Sequence, residues 1–104
     1  MKRRELLKKR ERLASKLPDP SEAVRGSLLQ RLIRHSKGCA KCQGGGGHPV
    51  WVLSISYPGG KNKQISLSAQ QRQQVQVWTG NYRQLKAGLE AISEINHQLL
   101  RLIE

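Results

Sequence analysis

A chain of 104 residues has room for one small domain, which buries a modest share of its unfolded surface and gains stability from a metal or a partner. Nineteen Lys and Arg against seven Asp and Glu leave a formal net charge of +12, which points to a polyanionic partner. No apolar run approaches the roughly 18 to 20 residues that span a bilayer, and the basic N-terminus lacks the apolar core of a secretion signal, so a cytoplasmic protein with no membrane partner is expected. Residues 1–37 hold twelve basic and four acidic side chains and residues 38–104 hold seven and three, so the first third reads as the electrostatic arm.

Residues 1–17 read as a basic helix, with Leu6, Leu13 and Leu17 as a thin apolar stripe. Residues 18–20, Pro-Asp-Pro, stop it and form a linker. Asp19 fits an N-cap, Pro20 the first helical position and Glu22 the third, so a second helix is expected from about 20 to 36. Val24, Leu28 and Leu32, flanked by Leu29 and Ile33, would make its buried face, and Gly38 would end it. The segment GCAKCQGGGGHP then excludes regular structure. Val50 to Tyr57 alternates as a strand with Trp51, Leu53, Ile55 and Tyr57 on one face, Pro58-Gly59-Gly60 turns, and KQISLS returns to close a two-stranded hairpin.

From Ala69 onward one long helix is expected, with Ser68 and Gln71 as its capping box. Val75, Trp78, Tyr82, Leu85, Leu89, Ile92, Asn96, Leu99 and Ile103 fall on heptad a and d positions, with Ile95 and Leu102 widening the stripe. The stripe either packs on the chain's own hairpin and helices or, through Leu85, Leu89, Ile92, Asn96, Leu99 and Ile103, forms a coiled-coil seam with a second copy or another partner. An Asn at an a position is a register-fixing device in such seams. The expected fold class is α+β: two N-terminal helices, a Cys/His zinc-knuckle loop, a two-stranded β-hairpin and a long C-terminal helix, with residues 21–104 as a single domain.

His35, Cys39, Cys42 and His48 supply four zinc ligands within fourteen residues, the number a closed structural site requires. The competing readings are a solvated helix-end His35, a redox C-x-x-C, or unmetallated thiols. The four glycines are no P-loop, since a strand follows and not a helix. No nucleophile, base and orienting acid assemble, so no enzyme is expected. For nucleic acid, DNA or RNA, the candidate contacts are Arg3, Arg4, Lys8, Lys9, Arg10 and Arg12 on the first helix, Arg25, Arg31 and Arg34 on the second, Lys37 and Lys41 at the knuckle, and Lys61 and Lys63 at the hairpin tip. The alternative for the first helix is a solvated face on which Glu5 pairs with Lys9 and Glu11 with Lys8. Trp51, Trp78, Tyr57 and Tyr82 either stack on bases or form the core.

The runs RGSLLQRLIRHSKGCAKC, GGGGHPVWVLSIS, GGKNKQISLS and, above all, NYRQLKAGLEAISEINHQLL resemble a family of small bacterial and archaeal proteins, a domain of unknown function met near mobile elements, over residues 25–103. Members of that family carry a cysteine ahead of the matched pair and a Gly-His-Gly-Pro-Tyr segment after it. Cys39, Cys42 and His48 match, His35 stands near the missing cysteine, and His48-Pro49-Val50-Trp51 lacks the glycine after histidine. The resemblance implies the architecture and a mobile-element setting and no activity. Three functions follow as expectations: a nucleic-acid-binding accessory protein with structural zinc, an adaptor holding a transposase or nuclease on its C-terminal helix, and a ribonucleoprotein component.

Overall fold

Arg3 onward is a run of strong helix formers and Pro18 ends it, while the glycine-rich turn and alternating residues of the middle section favour strands. The computed structural model describes residues 2–33 and 48–103. Helix α1 (Arg3–Ser15) is followed by a 3-10 turn (Pro20–Glu22), strands β1 (Ser27–Ile33), β2 (His48–Tyr57) and β3 (Lys61–Leu67), and helix α2 (Ala69–Leu100). The chain divides into two compact units, one of Met1–Ala23 with Gly80–Glu104 and one of Val24–Thr79.

The expected second helix is corrected. Among its described residues only Pro20–Glu22 is helical, capped by Asp19, whose Oδ1 accepts from the Ser21 backbone N–H and hydroxyl, both at 2.9 Å. Those two bonds, the backbone one first, hold the Asp19 carboxyl below its usual value. Ala23 is already extended, and Gly26 has φ 146°, outside any helix. Ser27–Ile33 then pairs antiparallel with β2 from Ser27↔Ser54 to Ile33↔His48. Leu28, Leu29, Leu32 and Ile33 satisfy a helical stripe, yet the segment pairs along its length with β2, whose ladder takes up the backbone groups on its inner edge.

The sheet therefore has three antiparallel strands in the order β1-β2-β3, and not the two expected. The zinc-knuckle loop is likewise not part of the fold seen: among the described residues no group of three His, Cys, Asp or Glu could hold a metal ion. His35, Cys39 and Cys42 lie outside the described residues, and His48 opens β2.

In the sheet unit the register puts Leu28, Trp51, Leu53, Ile55, Ile65 and Leu67 on one face. The first turns of α2 cover it: Leu53, Ile55 and Val75 are buried together, with Val24, Leu28 and Leu67 packed around them. Each fully buried aliphatic side chain contributes about 1.5–3 kcal/mol. The capping box forms as the sequence suggests, the Ser68 N–H donating to Gln71 Oε1 at 2.9 Å and the Gln71 N–H to Ser68 Oγ at 3.1 Å. The Val24 N–H donates to the Trp78 carbonyl at 3.1 Å, tying the chain ahead of β1 to α2.

In the helical unit Leu6, 1% exposed, packs on Ile95 and Leu99, flanked by Leu7 and Leu13. Further along, Arg10 Nη1 donates to Asn96 Oδ1 at 3.0 Å, and Leu17 lies against Gly88, where a Cβ would come within 2.3 Å of it. Contacts that climb α1 descend α2, so the two helices run antiparallel. Gly80 and Gly88 leave α2 unbroken. The strip of α2 that α1 covers takes in Gly88, Ile95, Asn96 and Leu99, so it includes part of the heptad line, while Leu89 and Ile103 of that line stay exposed. Among the described residues no helix is long and apolar enough to cross a membrane.

Candidate nucleic-acid interface

The seven acidic residues are Glu5, Glu11, Asp19, Glu22, Glu90, Glu94 and Glu104, so none falls within Val24–Thr79. That unit holds eight Lys and Arg and has a formal charge of +8, whereas the helical unit balances eleven basic against seven acidic residues for +4. Counted by unit, Val24–Thr79 carries the larger surplus; four of its eight cations, Arg25, Arg31, Arg34 and Lys37, also belong to residues 1–37. A surface without carboxylates repels no phosphate, and every neutralised phosphate releases counterions.

β1 begins at the Ser27↔Ser54 pair, so among the described residues the pairs Ile55↔Lys63, Ser56↔Asn62 and Tyr57↔Lys61 have no third strand beside them. They form a two-stranded ribbon closed by Pro58-Gly59-Gly60, with Gly59 and Gly60 at φ 86° and 80°, values that glycine adopts at little cost. Alternation sorts the ribbon's side chains. Tyr57, Lys61 and Lys63 lie on the face of Ile55, and Ser54, Ser56, Asn62 and Gln64 on the other; all but Ile55 and Ser54 are exposed. Arg25 takes the place of the missing strand, donating from Nη1 to the Ser56 carbonyl and lying over the Tyr57 ring, 5.1 Å from its centroid. Such a contact adds about 0.5–1 kcal/mol at an exposed site. Thus Arg25, far from Lys61 and Lys63 in sequence, joins them at the ribbon. Arg31, in the middle of β1, donates from Nη1 to Gln64 Oε1.

On α1, Arg3, Arg4, Lys8, Lys9 and Arg12 are exposed, and among the described residues none of them pairs with Glu5 or Glu11. Arg4, Lys8 and Arg12 recur every four residues on the face opposite Leu6, about 6 Å apart along the axis. Arg10 differs: half-buried and bonded to Asn96, it belongs to the packing of the helices. Arg34, Lys37 and Lys41 lie outside the described residues.

Trp51 and Trp78 are half-buried, while Tyr57 and Tyr82 are 42% and 36% exposed. Arg72, in the first turn of α2, lies 4.5 Å from the Trp51 ring centroid. Sequence reasoning passed over Arg72, Asn62 and Gln64. The signal that would have drawn attention to the region was the run of 67 residues between Glu22 and Glu90 without one carboxylate.

Fold and site together define a small two-unit protein with a cationic, carboxylate-free sheet. The chain belongs to the DUF6788 family, a domain of unknown function, whose profile matches residues 3–77. No curated protein matches the chain, and no solved structure matches it. The matched span takes in α1, all three strands and the start of α2. It corrects the limits expected from resemblance, since residues 3–24 fall inside it and NYRQLKAGLEAISEINHQLL, at residues 81–100, falls beyond it.

Proposed function

We propose that this protein is a non-catalytic accessory protein that binds nucleic acid through its phosphates, the sheet unit being the principal electrostatic contact. The observation that carries the reading is the absence of any carboxylate from Val24–Thr79, which holds eight cationic side chains. Lys61 and Lys63 at the ribbon supply point charges, and the exposed row of Arg4, Lys8 and Arg12 supplies a second phosphate track. Arg25 and Arg31 bond to Ser56 and Gln64, so their first role is to hold the ribbon and strand surfaces in place. The mobile-element setting implied by the resemblance is kept as part of this proposal. The test is fluorescence anisotropy of labelled nucleic acid at several salt concentrations. Affinity should fall linearly on a log-log plot, with a slope of about −0.9 per duplex phosphate contacted. Affinity that does not change with salt would remove the reading.

A second reading, an adaptor that holds a transposase or nuclease on α2, draws on one observation. Leu89 and Leu100 are 57 and 63% exposed on that helix, and Ile103, just past its end, is 71% exposed. Leu89→Glu should abolish capture of such a partner if this surface is used, and leave nucleic-acid affinity unchanged.

A further inference from the structure

We infer that the ribbon of β2 and β3 reads duplex DNA in the major groove, with Ser56, Asn62 and Gln64 facing base edges and Lys61 and Lys63 meeting the flanking phosphates. The inference rests on the proposed nucleic-acid function and names the form of nucleic acid.

Shape is the first argument. Beyond Ser54 the sheet narrows to two strands, about 4.8 Å apart, and a two-stranded ribbon fits the roughly 12 Å major groove of B-form DNA. The major groove of A-form RNA is too deep and narrow for side chains to read.

The sorting of side chains is the second. One face of the ribbon presents the exposed, uncharged hydrogen-bonding groups Ser56 and Asn62, continued by Gln64 where the third strand begins, and the face that continues onto the core presents Lys61 and Lys63. Base contacts specify and phosphate contacts position; Lys61 and Lys63 stand on β3, an edge strand, and their long side chains would meet the phosphates at the rim of the groove by passing around that edge. Amide side chains match the N6 and N7 edge of adenine, and Arg matches the O6 and N7 edge of guanine. Arg31, bonded to Gln64, is oriented on the same face.

Single strands bind by stacking bases on open aromatic rings. In the sheet unit Arg72 lies over Trp51 and Arg25 over Tyr57, so one face of each ring is already taken, which disfavours a stacking platform there.

The experiment starts from a random duplex DNA pool, enriches the tightest binders over successive rounds, and compares one enriched duplex with the same sequence as duplex RNA and as single-stranded DNA. The full chain should bind the DNA duplex at least about tenfold tighter than either, and should protect guanine N7, a major-groove atom, from dimethyl sulfate. Ser56→Ala with Asn62→Ala should lower affinity for the enriched duplex about tenfold while keeping the salt slope and the melting temperature, since both side chains are exposed. Equal binding to duplex RNA or single strands, or full affinity in the double variant, would overturn the inference and leave the salt-dependent nucleic-acid reading standing. No binding to any of the three would remove both.

Discussion

Gly26 turns the chain into β1 with φ 146°, and a Cβ there would stand 2.7 Å from Leu53 Cδ1 and 2.9 Å from the Ser54 carbonyl oxygen. The second of these is backbone and does not yield. Gly26→Ala is expected to destabilise the protein by about 1–3 kcal/mol, read as a lowered denaturant midpoint. Gly80 lies inside α2 with nothing within 4 Å of an added Cβ, so Gly80→Ala is expected to stabilise by about 0.5–1 kcal/mol in the same assay. The sequence shows two glycines and not their opposite roles, because φ is set by what the chain meets next. Asn96 teaches the same lesson: its heptad position suggests a seam with another helix, but its side chain accepts a bond from Arg10 of its own chain.

Elements with a clear local period were legible. α1, the β2-β3 hairpin with its Pro-Gly-Gly turn, and the long α2 with its capping box all lie where their patterns put them. β1 was not legible, because its four apolar residues fit a helical stripe and its partner β2 begins about fifteen residues further on. Leu32, placed on the buried face of the expected helix, is instead 68% exposed. The packing of α1 on α2 was only half legible: the leucine stripe marked the face of α1, and Ile95, Asn96 and Leu99 of the α2 stripe meet it, but Leu89 and Ile103 of the same stripe stay exposed. Leu6→Ala removes the most enclosed side chain of that contact and should cost about 2–5 kcal/mol of the helical unit's stability. Hydrogen exchange across α1 should rise with it, and unchanged protection would contradict the packing described.

For the molecule as a whole, net charge was legible and its placement was not. Counting along the chain gives residues 1–37 a net +8, which the fold divides: α1 lies in the unit that holds every carboxylate, while Arg25, Arg31, Arg34 and Lys37 belong to the unit that holds none. Only the fold groups Arg25 with Lys61 and Lys63, and only the strand register separates the cationic face of the ribbon from its amide face. The measurement that tests the account most directly is the salt dependence of nucleic-acid affinity for the wild type, for Lys61→Ala with Lys63→Ala, and for Lys8→Ala with Arg12→Ala. The account predicts a steep wild-type slope that falls by about 2 units when the ribbon lysines are removed, with a smaller change for the α1 pair. A slope unaffected by loss of Lys61 and Lys63 would contradict it.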